Sequence, residues 1–297
     1  MKPAPFAYLA PRSVDEALAH LSEHGSEARP LAGGQSLVRL MNTRAATPSV
    51  LIDINRIGEL SAVDADNGTV RIGAVARQRA CETSSLLRAA VPLFAEAVGH
   101  VAHPSVRLRG TAVGSVAFAD PSAELPAALL ALDGQVVARS TRGERVVDAD
   151  SFFTGPFTTS LAPDELALAL RIPKTANGRT GSAFVEESRR HGELPMCGVG
   201  TVVTLDEDGD VAAARIALCG VHRRPIRARE AEAALAGTRP NDKVLREVAA
   251  LAAAATDPIG DTHASAAFRR HLATVLTRRA LDTAVSRAVA REEEKDA

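Results

Sequence analysis

The chain contains no tryptophan and a single tyrosine, Tyr8, with eight phenylalanines spread over 297 residues. That scarcity leaves no row of stacking rings for single-stranded nucleic acid. Cysteine is nearly as rare. Cys81, Cys197 and Cys219 stand far apart, with no C-x-x-C pair. This argues against a disulfide framework and offers too few thiolates for an iron–sulfur cluster held by this chain alone. Neither sign of charge is in excess: the net charge is -1, which argues against nucleic acid or anionic lipid as a partner. No apolar run approaches the roughly 20 residues of a membrane span. The start, Met1-Lys2-Pro3-Ala4-Pro5, leads into no apolar signal core. A cytoplasmic location is therefore expected. No internal repeat is visible.

What is present is ample apolar material, 46% of residues, in patterns that alternate between helix and strand. Ser13-Val14-Asp15-Glu16 reads as a capping box, followed by Val14, Ala17, Leu18 and Leu21 on one helical face, with Gly25 as the stop. Arg29–Ala32 and Ser49–Ile54 read as strands, and Leu37 to Met41 as a short helix. Thr69–Ala74 reads as a strand begun after the turn Asp66-Asn67-Gly68. Helices are expected over 77–88, 92–100 and 125–132, a hairpin at 135–138 and 144–147, and a strand at 166–172. The polar stretch Lys174 to Gly181 is the best linker candidate. Beyond it, 182–188, 199–205 and 211–218 read as three antiparallel strands, the last two joined by the acidic turn Asp206–Asp210. Helices are expected over 226–236, 241–255 and 264–291, and the charged end Arg291–Ala297 is expected to fray.

Two glycine-containing segments carry the chemical signal. The first is Leu31-Ala32-Gly33-Gly34-Gln35-Ser36-Leu37; the second is Arg109-Gly110-Thr111-Ala112-Val113-Gly114-Ser115. Small residues with hydroxyl or amide neighbours let backbone N–H groups approach a phosphate, and a pyrophosphate needs many donors. Either alone makes an ordinary turn. The pair suggests a nucleotide clamped from two sides. His100 and His103, at i and i+3, offer a possible metal pair with no third ligand in sight. Arg107 and Arg109 read equally as phosphate partners or as surface ion pairs.

The stretch around the second segment, His103-Pro104-Ser105-Val106-Arg107-Leu108-Arg109-Gly110-Thr111-Ala112-Val113-Gly114-Ser115-Val116-Ala117-Phe118-Ala119-Asp120-Pro121-Ser122-Ala123-Glu124-Leu125-Pro126, closely resembles the FAD-binding subunit of the molybdenum hydroxylases. Leu51-Ile52-Asp53-Ile54, Arg71-Ile72-Gly73-Ala74, Phe152-Phe153-Thr154-Gly155-Pro156-Phe157 and Asp164-Glu165-Leu166 resemble further motifs of that family, from about residue 4 to about residue 285. The resemblance implies an α+β chain with the vanillyl-alcohol-oxidase (PCMH) type of FAD-binding fold. Residues 1–55 would be a first α/β lobe and 56–177 a second. Residues 178–297 would form a C-terminal domain with a three-stranded antiparallel sheet and helices.

By position, the resemblance assigns cofactor contacts to Leu31, Ala32, Gly33, Gly34, Gln35, Ser36 and Leu37, and to Thr111, Ala112, Val113, Gly114 and Ser115. It adds Val101, Ala102, Glu124, whose carboxylate would accept from FAD hydroxyls, and Ala167. Three positions depart from the family's habit. Val113 stands where glycine is usual, so the backbone there must suit negative φ. Glu186 stands near a frequent lysine, and Leu194 near an aromatic that can cover the flavin, leaving one face more open.

No nucleophile–base triad is visible, and flavin chemistry needs none. The resemblance implies an iron–sulfur small subunit with [2Fe-2S] clusters and a molybdopterin large subunit, in a dimer of heterotrimers (a heterohexamer). This chain would carry electrons from the clusters through FAD to an external acceptor: NAD, quinone, oxygen or another carrier. A self-sufficient flavin oxidoreductase of the same fold, and a non-catalytic assembly protein that has lost FAD, remain as alternatives.

Overall fold

The capping residue chosen from sequence does cap. Ser13 Oγ accepts the N–H of Glu16 at 3.2 Å, while Glu16 reaches back one residue further than a capping box requires, to the N–H of Arg12 at 2.8 Å. In the computed structural model this helix, α1 (Val14–His24), follows strand β1 (Ala7–Leu9) and leads to β2 (Ala28–Leu31). The structure describes residues 2–66, 68–175 and 178–296. Met1, Asn67 of the expected turn, Ala176 and Asn177 of the expected linker, and Ala297 lie outside the described residues.

After β2, helix α2 (Leu37–Thr43) and strand β3 (Val50–Asp53) complete a small parallel sheet of order β1-β3-β2. Its strands point the same way, so the carboxyl ends of β2 and β3 lie side by side, Leu31 opposite Asp53. In open parallel sheets that edge is where ligands sit.

A second sheet gathers β4 (Val63–Ala65) and β5 (Thr69–Gly73) with three later strands. Between them come α3 (Gln78–Thr83), α4 (Ser85–Ala90), α5 (Pro92–His100), α6 (Pro104–Arg107), α7 (Ala112–Phe118) and α8 (Glu124–Ala131). The single helix expected over 77–88 is two, because Ser84 leaves helical geometry and its Oγ caps α4 by accepting the N–H of Leu87. The expected hairpin forms from β6 (Gln135–Ser140) and β7 (Gly143–Asp148). Next come α9 (Ala149–Phe152), the two-stranded pair β8 (Phe153–Gly155) and β9 (Thr158–Thr159), and β10 (Leu166–Pro173). The order in the large sheet is β4-β5-β10-β6-β7.

The last sheet is antiparallel: β11 (Thr180–Glu187), β12 (Cys197–Leu205), β13 (Val211–Cys219) and β14 (Ile226–Arg227). The three expected strands are joined by a fourth, because Ile226 and Arg227 pair with Leu218 and Ala217 instead of opening a helix. Helix α10 therefore begins at Arg229 (Arg229–Leu235), followed by α11 (Asp242–Ala254) and α12 (Ala266–Asp296). The backbone of α12 continues through the charged end that was expected to fray. Among the described residues, no helix is long and apolar enough to cross a membrane.

This sheet is apolar on both faces, and the alternation of its side chains decides which core each enters. Ala183, Val199, Val203, Ile216 and Leu218 pack with α10, α11 and α12. Phe184, Val202, Ala217 and Cys219 turn the other way, into the core built around α5 and α8. On the α12 side the backbones nearly touch: a Cβ at Gly181 would lie 1.9 Å from the carbonyl oxygen of Ala284 and 2.5 Å from the N of Ala288. The hydroxyl of Thr201 donates to the carbonyl of Ala280 at 3.1 Å, fixing the register of the helix on the sheet. Gly181→Ala is expected to lower unfolding stability by about 1–3 kcal/mol, read as a lower midpoint in urea. A wild-type midpoint would contradict the close approach.

Candidate functional site

The loop after β2 contains Gly33, and the loop before α7 contains Gly110. The fold brings their backbones into contact. A Cβ on Gly33 would stand 2.5 Å from the carbonyl oxygen of Arg109, 2.7 Å from Cα of Gly110 and 3.0 Å from the N of Thr111. Gly34 takes φ +71, a left-handed turn that glycine adopts freely. Gln35 folds back, its Nε2 donating to the carbonyl of Gly33.

The two loops are laced together by residues that the sequence reading did not single out. Asn55 Nδ2 donates to the carbonyls of Ala32 at 2.8 Å and Leu31 at 3.3 Å. Asn55 Oδ1 accepts from Arg77 Nη2, and Arg77 Nη1 donates to the carbonyl of Arg109, both at 2.7 Å. Asp53 anchors the other end, accepting from the N–H of Asn55 and from the Tyr8 hydroxyl. Thus Tyr8, Asp53, Asn55 and Arg77 form one polar chain from β1 to the second loop. Burial, then the nearby Arg109 charge, lowers the Arg77 pKa from its ordinary value. The signal available in the sequence was position: Asp53 and Asn55 follow β3, and a parallel pair sets them beside the loop after β2.

Backbone donors are distributed unevenly. Among the described residues, the N–H groups of Gly33, Gly34, Gln35 and Ser36 find no protein acceptor. In the second segment several are already used. The N–H of Ala112 donates to Ala76, that of Ser115 to Thr111, and that of Gly114 to the Thr111 hydroxyl, which caps α7. The Ser36 and Ser115 hydroxyls bond to no residue among those described and are only half-buried. Leu31 ends β2 and Leu37 begins α2, bracketing the first loop.

Val113 answers the question raised by its identity. It is the second residue of α7, is not among the residues of positive φ, and its side chain is buried in the core. Helical backbone accepts valine, so glycine is not needed there.

The other expected contact residues fall on two sides. Val101 and Ala102 directly follow α5, with Ala102 at φ +46. Arg107 holds this strained turn: its Nη1 donates to the carbonyls of Val101 at 2.7 Å and Ala102 at 2.8 Å, while its other nitrogens pair with Glu82. Arg107 is buried and committed to the protein, so its phosphate-partner reading is not met. Ala167 lies inside β10 at a bulge, with Ala138 as register partner and not either glycine loop. His100 and His103 diverge: the first faces Glu186, and the second lies beneath Gly192, whose Cβ would meet the ring at 2.6 Å. Leu194, in the same loop, is 54% exposed.

Glu124 opens α8 and is 2% exposed, with no hydrogen bond to another residue among those described. Burial, then the nearby Glu186 charge, pushes its carboxyl up to about 8. Burial raises all three thiols, Cys81 and Cys197 to about 12, which leaves them inert. The free amides of the first loop, the serine hydroxyls and the buried Glu124 carboxyl are the donor and acceptor set that a phosphate-and-hydroxyl ligand would complete.

Arg77→Ala should leave the Arg109 carbonyl and the Asn55 amide oxygen without their donor. A loss of about 1–3 kcal/mol is expected, together with faster amide exchange in residues 33–36 and 109–111. Unchanged exchange would contradict the lacing.

Comparison with known proteins accords with this geometry. Residues 4–175 match the family described as the FAD binding domain in molybdopterin dehydrogenase. Residues 182–284 match the CO dehydrogenase flavoprotein C-terminal domain. The chain is 39% identical over its whole length to the 6-hydroxypseudooxynicotine dehydrogenase complex subunit alpha of Paenarthrobacter nicotinovorans, covering 100% of both chains. It is 36% identical to the carbon monoxide dehydrogenase medium chain of Afipia carboxidovorans, covering 97% of this chain and 99% of that one. A solved structure of carbon monoxide dehydrogenase from Hydrogenophaga pseudoflava superposes with a TM-score of 0.94 at 38% identity, over 97% of this chain and 99% of that one. The fold is therefore the PCMH type of FAD-binding fold with its C-terminal domain, and the chain belongs to the FAD-binding medium subunits of the molybdenum hydroxylases, a family of oxidoreductases.

Proposed function

We propose that this chain carries electrons, through FAD, from [2Fe-2S] clusters on a partner subunit to an external acceptor. The observation that carries the reading is the contact of the two glycine segments, with four amides on the first that find no acceptor among the described residues. FAD supplies, when bound, redox chemistry that accepts and donates electrons singly or in pairs. The protein's own part is to bind and orient it. Ala32 to Ser36 would hold the pyrophosphate by backbone donors, with the Ser36 and Ser115 hydroxyls adding more. Thr111 to Gly114 would support this loop from behind, Leu31 and Leu37 would flank it, and Val101, Ala102, Glu124 and Ala167 would border the rest of the cofactor. Residues 1–55 and 56–177 would act as the two lobes of the cradle, and 178–297 as the domain closing it.

The proposed partners are an iron–sulfur small subunit and a molybdopterin large subunit, in a dimer of heterotrimers located in the cytoplasm. The chain has only three thiols, all buried, too few for a cluster of its own, which supports placing the clusters on another chain. The two relatives named above act in complexes on unlike molecules, 6-hydroxypseudooxynicotine and carbon monoxide. Their flavin subunits nevertheless align with this chain along almost its whole length. This supports a substrate chosen by the large subunit.

Expressed with its partners, the chain should carry one FAD, identified by release and spectroscopy. Gly33→Asp should abolish that content, since its Cβ would stand 2.5 Å from the carbonyl oxygen of Arg109 and force the two loops apart. Normal FAD content in Gly33→Asp would overturn the role of the first loop. A lone chain turning over an organic substrate would favour a self-sufficient oxidoreductase, and a partner-bound chain without FAD would favour an assembly protein.

A further inference from the structure

The carboxyl end of α1 gathers three side chains that the glycine loops do not use. His20, Glu23 and His24 follow the spacing H-x-x-E-H. Residues three and four apart are neighbours on a helix surface, so the two imidazoles lie one turn above the other with Glu23 beside them. The buried stripe of α1 is Val14, Ala17, Leu18 and Leu21. The trio lies off that stripe: the two imidazoles are half-buried and Glu23 is exposed.

The three groups face one point. Glu23 Oε2 stands nearly equidistant from both rings, 4.0 Å from His20 Nδ1 and 3.9 Å from His24 Nε2. One ligand atom of each residue lies within 4.8 Å of those of the other two. Neither separation is a hydrogen bond, and among the described residues none of the three side chains has a polar partner outside the trio. The charged residues that follow in the chain are engaged elsewhere. Glu27 accepts from the Ser49 hydroxyl, and Arg29 donates to the carbonyls of Ser26 and Ala28. His100 and His103 diverge onto different partners, whereas His20 and His24 converge.

Two imidazoles and a carboxylate are ligands that suit zinc, with water completing a tetrahedron. Zinc bonds of about 2.0–2.2 Å place tetrahedral ligand atoms roughly 3.3–3.6 Å apart. Small rotations of these partly exposed side chains close the observed separations to that range. The helix end adds its own attraction, because the macrodipole favours a cation at the carboxyl terminus.

We propose that His20, Glu23 and His24 form a three-ligand site for a divalent transition ion, zinc foremost. Bound there, the ion joins two successive turns of α1 and fixes the helix end just before Gly25, from which the chain passes into β2. The proposal does not rest on the FAD reading, since none of the three residues belongs to either glycine segment.

The test is titration of the full chain, freed of metal by chelation, with Zn²⁺ alone in competition with a chromophoric chelator. One equivalent should bind, and millimolar Mg²⁺ or Ca²⁺ should not displace it, because those ions prefer all-oxygen sites. His20→Ala and His24→Ala should each weaken binding by at least the ~10–100-fold that losing an outer-shell partner costs, and Glu23→Gln by about tenfold on the same scale. Alanine is the better helix former, so the variants retain α1, which far-UV circular dichroism checks. A folded wild-type chain that takes up no Zn²⁺, uptake unchanged in the His20→Ala/His24→Ala double variant, or displacement by Mg²⁺ overturns the site. Wild-type affinity in Glu23→Gln overturns the three-ligand assignment. Each of these results leaves the FAD reading standing.

Discussion

The rest of the site depends on one steric constraint: nothing larger than hydrogen fits on Cα of Gly33. The loop after β2 and the loop before α7 approach until backbone meets backbone, within 2.5 Å of where a Cβ would be. The consequence is a seam where peptide groups from distant parts of the chain meet. Asn55 and Arg77 lock this contact by holding carbonyls, and the N–H groups of residues 33–36 find no acceptor among the described residues. Unpaired buried or half-buried donors are costly alone. Here they make sense as one half of a bond set that a phosphate completes.

The two loops do not contribute alike. The first offers amides; the second spends most of its amides inside the protein, on Ala76, on Thr111 and on the cap of α7. Its task is closer to that of a buttress. This division explains why valine is tolerated at 113, where the side chain enters the core and the backbone is helical. The C-terminal sheet packs against α5 and α8. Its alternation sends Phe184 and Cys219 toward α5 and α8 while Ala183 and Leu218 pack against the helical layer, so one sheet serves two cores.

Much of this was legible in the sequence, and the exceptions have physical causes. Ser13 and Gly25 marked helix ends through local chemistry, and the strands announced themselves by apolar runs or alternation. Ser84 was missed because a single capping serine inside an apolar helical pattern looks like any other surface residue. Ile226 and Arg227 were misread because a two-residue edge strand carries no period of its own; only Leu218 and Ala217 across the ladder reveal it. The glycine loops were found by composition, but not their division of labour, which depends on hydrogen bonds to Ala76 and Thr111. The network of Tyr8, Asp53, Asn55 and Arg77 was invisible for a similar reason: its members are distant in sequence and individually ordinary. Arg107, left open between a phosphate partner and a surface pair, is a buried clamp on Ala102.

The central claim is that both loops belong to one FAD clamp, with the donors on the first and the support on the second. Residue-resolved amide hydrogen exchange, with and without FAD, measures this directly. The account predicts strong new protection at Gly33, Gly34, Gln35 and Ser36, and only a small change at Ala112, Gly114 and Ser115, whose amides are already bonded. FAD binding that leaves residues 33–36 unprotected would contradict it.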